Sequence, residues 1–375
     1  MSVADQAFQA LARQGGTEIE AAIIIEASVP LELSGEAVRN RICTFTDEDG
    51  QEWALRPDLT LPVAQAEVAA RRIQAPGETL RHYRGPVFRL PALAGEPVEY
   101  DQIGLERFGG ARSIEEDVWL FETLVEACQA SGISGGYACF GDLSIFPAFV
   151  EALNLADDVM AGLKRAFRQE GGVRAYLTGR DQGPSGISSR MIGMGREEIS
   201  AFVEDIFAMT GIPAIGERSS DEIVERLFER SRSDAGVGLA EDVRALLDQV
   251  LSLEVAAADA PQALYQLAES AGLKDLAATL DSFAQRTEHL FDSGQAAFMI
   301  DARFATRFGR RFTYYDGFVF EISAADSAMA RQRPFAAGGR YDSLLADLSG
   351  GAVDATAIGG VVIPHRLAQA SGGQP

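Results

Sequence analysis

The order of strand and helix signals predicts an α+β chain, because strand-rich segments towards both ends enclose a long run of amphipathic helices. Residues 41–108 and 296–363 hold short β-prone runs bounded by turn formers. Residues 142–292 instead carry helical periodicity broken by glycine-rich stretches, including Gly171-Gly172 and Gly179 to Gly186. The expected division is a strand-bearing core from 1–141 and 293–375, with 142–292 inserted as a helical block. A second independent domain over 142–292 is the alternative reading of the same pattern.

Along the chain, Val3, Ala7, Ala10 and Leu11 recur at helical spacing until Gly15-Gly16 ends the first helix. Ile42 to Phe45 and Glu52 to Leu55 flank Asp47, Asp49 and Gly50, the composition of a hairpin. It leads into Arg56-Pro57-Asp58-Leu59-Thr60 and then a helix from Pro62 to Arg72, with proline in its first turn. Arg81 to Arg89 and Glu99 to Arg107 read as strands separated by a turn-rich segment. Ser113 and Glu116 predict a capping box for a helix to about Ser131, whose acidic first turn suits the positive end of the dipole.

Beyond Asp292, strands are expected over Ala296 to Phe304, Phe312 to Tyr315, Phe318 to Ile322 and Ala357 to Ile363, with a helix around Ser343 to Leu348. Taken singly, the aromatic residues Tyr314, Tyr315, Phe318 and Phe320 read as core. Gly338 and Gly339 read as a turn that needs positive φ, and Asp58 as a cap for the helix after it.

A chain of 375 residues, 47% of them apolar, can bury a sizeable core. Its 33 basic and 55 acidic residues give a formal charge of −22, and Lys164 and Lys274 are the only lysines. Phosphate neutralisation supplies most nucleic-acid affinity, so a nucleic-acid partner is not expected, although acidity also serves solubility. No apolar run approaches the ~20 residues of a membrane span, and no basic start precedes an apolar stretch. A cytoplasmic protein is the expectation. Cys43, Cys128 and Cys139 form no CxxC pair, and His82, His289 and His365 are the only histidines. Neither a metal nor a cofactor is expected, and the thiols read as buried.

Four motifs in order carry a family resemblance: the hairpin running into Arg56-Pro57-Asp58-Leu59-Thr60, the strand ending Asp101-Gln102-Ile103-Gly104-Leu105-Glu106, the Tyr-Tyr-x-Gly-x-Val-Phe-Glu segment from Tyr314, and Gly338-Gly339-Arg340-Tyr341-Asp342. Together they resemble histidyl-tRNA synthetase across nearly the whole chain, with the helical block matching poorly. The resemblance implies a class II aminoacyl-tRNA synthetase-like core, an antiparallel sheet flanked by helices. It also implies a histidine pocket, in which Asp58 holds the α-amino group with help from Thr60, and Gln102, Glu106, Tyr314, Tyr315 and Tyr341 surround the ligand. Arg89 falls at the second-motif arginine and Arg310 at one that assists the amino-acid carboxylate and the phosphate. Both join the expected histidine-binding set, with the role of Arg310 open.

The nucleotide end departs from the pattern. Synthetases grip ATP with basic residues in the loop after the second-motif strand, whereas Leu90 to Val98 contains no cation. In the third motif Arg366 is retained, but Ile363 replaces a glycine and His365 a glutamate. The sequence reaches Pro375 soon after Arg366, where synthetases continue into an anticodon-binding domain. This outline is similar to the ATP phosphoribosyltransferase regulatory subunit. That likeness implies a non-catalytic partner of the short-form catalytic subunit, acting with histidine as ligand at the first step of histidine biosynthesis. A homodimer within a hetero-oligomer is expected, with catalysis and its magnesium in the partner. The rivals are a truncated amino-acid-activating enzyme and a free-standing histidine-binding protein.

Overall fold

The computed structural model describes residues 1–74, 77–93, 95–169, 171–181, 194–210, 224, 227, 239–309 and 314–372. The chain divides into two compact units, Met1–Ala148 with Gln249–Pro375, and Phe149–Asp248.

The first unit is built on a nine-stranded sheet. Its strands are β1 (Thr17–Glu18), β5 (Thr79–Phe88), β6 (Glu99–Phe108), β7 (Gly136–Asp142), β8 (Glu254–Ala256), β9 (Met299–Ala305), β10 (Phe318–Ser323), β11 (Ala336–Arg340) and β12 (Ala357–Val362). Their spatial order is β1-β5-β6-β12-β11-β10-β7-β9-β8. From β5 to β7 every pairing is antiparallel, and the parallel pairings, β1 on β5 and β7 on β9, lie towards the rims. A three-stranded sheet holds β2 (Ile24–Glu26), β4 (Glu52–Leu55) and β3 (Thr44–Thr46), so the expected hairpin is present. Its inner face buries Ile25 and Ala54 with Ala27 and Ile42.

Helices α1 (Val3–Ala12), α2 (Thr60–Ile73), α3 (Ile114–Ala130), α4 (Ala277–Asp292) and α5 (Pro364–Ala370) accompany the large sheet. The apolar face of α3 buries Leu120, Phe121 and Leu124 against β11 and β12, while α1 and α4 pack on α3. Phe121 meets Phe320 edge to face at 5.2 Å, which ties α3 to the centre of the sheet. Ser113 caps α3 by accepting the Glu116 N–H at 3.3 Å. The Glu116 carboxylate, expected to close a capping box, accepts the Ala111 N–H at 2.9 Å instead.

The helical block expected over 142–292 divides differently, because residues 249–292 group with the sheet. Arg286 on α4 explains this: it pairs with Asp117 of α3 at 3.2 Å and with Asp142 at the end of β7. Phe283 adds an edge contact to Phe304 of β9 at 5.0 Å. The second unit is helical where described. Helices Asp157–Phe167 and Gly172–Asp181 pack on one another, and Ile199, Val203 and Val224 form a small core.

Three local expectations change. Tyr314 and Tyr315 lie in the turn before β10 and not in a strand; the preceding residues 310–313 are outside the described chain. Gly338 and Gly339 lie inside β11 without positive φ. Close approach requires them there, since a Cβ on Gly339 would come within 2.6 Å of the Phe318 carbonyl and 3.0 Å of the Tyr315 ring. Of the thiols only Cys128 is buried, while Cys139 on β7 and Cys43, which lies just before β3, are half-buried. No described helix is long and apolar enough to cross a membrane.

Candidate amino-acid site

The sharp step from β4 into α2 sets one wall of the site. Arg56 is buried there, its Nε donating to the Pro86 carbonyl at 2.8 Å and Nη1 to the Ala21 carbonyl at 2.5 Å. This fastens the small sheet to β5 and fixes where α2 begins. Asp58, just ahead of α2, and Thr60, its first residue, are consequently buried.

Glu106, on β6, is the centre of the site and is fully buried. Its Oε1 accepts the Thr60 hydroxyl at 2.8 Å and the Tyr83 hydroxyl at 2.6 Å, and its Oε2 accepts the Tyr341 hydroxyl. Burial is the largest influence on its proton affinity, and the Asp58 charge adds to it, while the Tyr83 and Thr60 hydroxyls oppose it; the carboxyl is raised to about 8. Space for the carboxylate comes from Gly359 on β12, directly opposite in the ladder.

Asp58 uses its two oxygens differently. Oδ1 accepts the Leu61 N–H at 3.0 Å and so satisfies an early N–H of α2, the capping role. Oδ2 is buried and has no hydrogen-bond partner among the described residues. Burial raises the Asp58 carboxyl above the ordinary range, against the pull of Arg89 and of the Leu61 and Thr60 backbone N–H groups. A buried carboxylate oxygen without a donor is costly unless a cation or donor completes it.

Tyr314, Tyr315 and Tyr341 form an aromatic wall, with centroids 4.8 Å apart for the first two and 5.7 and 5.9 Å from each to Tyr341. Burial, then the neighbouring carboxylates Asp58 and Glu106 among other charges, raises the Tyr314 and Tyr315 hydroxyls. Both stay protonated and able to donate. Gln102 on β6 is buried, and its Oε1 accepts the Leu59 N–H at 3.3 Å. Arg89 donates to the Pro57 carbonyl at 2.5 Å, and its charge reaches Asp58.

Asp58, Thr60, Gln102, Glu106, Tyr314, Tyr315 and Tyr341 are thus brought together, with Arg89 at their edge. Arg310 lies outside the described residues. Tyr83 is the member that sequence reading missed. Its partner Gly104 was a usable signal, since a Cβ there would meet the Tyr83 hydroxyl at 2.6 Å. The arrangement offers two acids and several hydroxyls around flat rings, which suits an ammonium and a small polar ring. Among the described residues no cluster of three His, Cys, Asp or Glu side chains is placed to hold a metal ion.

Beneath the site, Arg340 of β11 is a structural hub. Its Nη2 lies 2.8 Å from Asp117, and its Nη1 lies 3.3 Å from Asp342. Asp342 also accepts the Ala357 N–H at 2.9 Å, which holds the neighbouring Tyr341 in place.

The histidyl-tRNA synthetase family profile matches residues 2–181 and 206–364. An ATP phosphoribosyltransferase regulatory subunit from Mesorhizobium japonicum is 32% identical over 340 residues, 87% of this chain and 86% of that protein. One of the same name from Rhizobium etli is 32% identical over 350 residues, 90% of this chain and 88% of its own. A crystal structure from Bacillus halodurans, described as an ATP phosphoribosyltransferase regulatory subunit/histidyl-tRNA synthetase, superposes with a TM-score of 0.63 at 19% identity, covering 98% of this chain and 78% of that one. The fold is therefore the class II synthetase-like core, and the chain belongs to the histidyl-tRNA synthetase family, in the branch of the ATP phosphoribosyltransferase regulatory subunits.

Proposed function

We propose that this chain is a non-catalytic, cytoplasmic subunit that activates a short-form ATP phosphoribosyltransferase catalytic subunit and carries histidine feedback to it. Histidine is the ligand of the site, and the chain works as a homodimer within a hetero-oligomer, in which the partner performs the reaction of ATP with phosphoribosyl pyrophosphate. The observation that carries this reading is the buried Oδ2 of Asp58, left without a donor among the described residues beside Glu106 and the tyrosine wall. An α-ammonium supplies the missing donors and charge, while an imidazole fits between aromatic faces with one donor and one acceptor.

The nucleotide end supports the non-catalytic part. Adenylation needs cations on the phosphates, yet the segment from Leu90 to Val98 has none and Arg366 is already engaged by Glu96 at 2.9 Å. Ile363 is buried where a synthetase keeps glycine. Reconstitution with a short-form catalytic subunit tests the reading: phosphoribosyl transfer should depend on this chain and fall when histidine is added. Histidine-dependent exchange of pyrophosphate into ATP by the chain alone would instead establish the amino-acid-activating enzyme.

A further inference from the structure

Between β5 and β6 one carboxylate collects donors from three separate parts of the chain. Glu96 Oε2 accepts the backbone N–H groups of Ala92 at 3.2 Å and Leu93 at 3.3 Å, and lies 3.4 Å from Arg41. Its Oε1 accepts from Arg366 at 2.9 Å. Arg366 is itself held rigidly, donating to the Pro334 carbonyl at 2.9 Å and lying over the Tyr100 ring. The Glu96 and Arg366 side chains are only 10% and 14% exposed. Arg89 stands close enough for its charge to act on Arg366, and the half-buried His365 feels Arg366 in the same way.

Two consecutive backbone N–H groups with two guanidinium groups form the donor set that recognises a phosphate or carboxylate. In a chain of charge −22 such a concentration of cations is itself unusual. Here the anion in the cradle belongs to the protein. A tethered carboxylate needs no binding entropy to stay in place, so an incoming anion competes against a partner at high effective concentration. We infer that Glu96 is a resident counter-ion that fills an anion site formed by Arg41, Arg366 and the Ala92–Leu93 backbone, and thereby excludes phosphate-bearing ligands from it. This deepens the reading of a subunit without nucleotide chemistry, yet its test does not pass through histidine.

Removing the carboxylate converts the cradle into an open site. Titration calorimetry of the full chain with tripolyphosphate should show no binding to the wild type at millimolar concentration. Glu96→Ala should gain about tenfold or more in affinity, shrinking as salt rises, and the gain should vanish in Glu96→Ala combined with Arg366→Gln. Glu96→Ser removes the carboxylate from the cradle while keeping a small polar side chain, so it carries the test if the alanine variant folds poorly. A folded Glu96 variant that binds tripolyphosphate no better than wild type overturns the inference. So does a gain that survives the loss of Arg366. Because histidine is absent from the titration, this failure leaves the amino-acid site untouched.

Discussion

Gly359 passes directly beneath the Glu106 carboxylate, so closely that a Cβ on it would lie 1.6 Å from Glu106 Oε2. The conflict cannot be relieved by rotating an exposed side chain, because Glu106 is tied to Thr60, Tyr83 and Tyr341. Gly359→Ala should therefore destabilise the protein by ~3 kcal/mol or more and remove histidine binding. Gly294→Ala, where a Cβ meets no described atom within 4 Å, should be close to neutral. Denaturant unfolding of both variants, with calorimetry for the ligand, measures the difference.

Glu106 makes the site pH-dependent in a defined direction. Its carboxyl is raised from 4.5 to about 8 by burial first, with Asp58 adding and the Tyr83 and Thr60 hydroxyls opposing. Below pH 4.5 both folded and unfolded chains hold this proton, and no stability difference arises. Between 4.5 and about 8 the unfolded chain releases it first, so stability is lost as pH rises and the loss levels off above 8. Glu106→Gln should escape this loss, on the order of a few kcal/mol, in thermal unfolding followed from about pH 5 to 8. An ammonium favours the ionised carboxylate, so histidine affinity should rise over about pH 6 to 8. Binding should release protons, seen as calorimetric heats that vary with the buffer.

Asp58→Asn separates the ligand role from the cap. The amide oxygen can still accept the Leu61 N–H, now 3.0 Å from Oδ1, but the charge at Oδ2 is gone. Histidine should bind more weakly by about 2–5 kcal/mol, while activation of the catalytic subunit persists. Calorimetry and inhibition curves on the reconstituted complex read the two properties separately. Unchanged histidine affinity in a folded variant would show that the pocket does not hold the ammonium.

Asp117 bridges Arg340 and Arg286, at 2.8 and 3.2 Å, and so links β11, α3 and α4 below the site. Asp117→Asn removes one of the carboxylates that face each guanidinium, leaving Asp142 on Arg286 and Asp342 on Arg340. The expected cost is about 1–3 kcal/mol, measured by urea unfolding. Near-ultraviolet circular dichroism should report loosening of the tyrosine wall, because Arg340 also holds Asp342 beside Tyr341.

Much of this protein was legible before folding. Alternating and helical periodicities located the hairpin β3–β4, the long strands β5 and β6, and helix α3, because side-chain period follows from local geometry alone. The motif residues Asp58, Thr60, Gln102, Glu106 and Tyr341 were marked by their order along the chain. What they do to one another was not, since it depends on neighbours far apart in sequence. Ladder register alone sets Gly359 opposite Glu106, and only that closeness explains why a strand glycine is needed. Tyr83 carries no motif of its own and joins the site because β5 and β6 pair. Glu96 reads as an ordinary loop acid until Arg366, 270 positions later, closes on it. Residue types and periodicity determined the elements and the candidate chemistry, but burial and pairing across long loops decided which carboxylate is satisfied, which is raised, and which keeps an oxygen without a donor among the described residues.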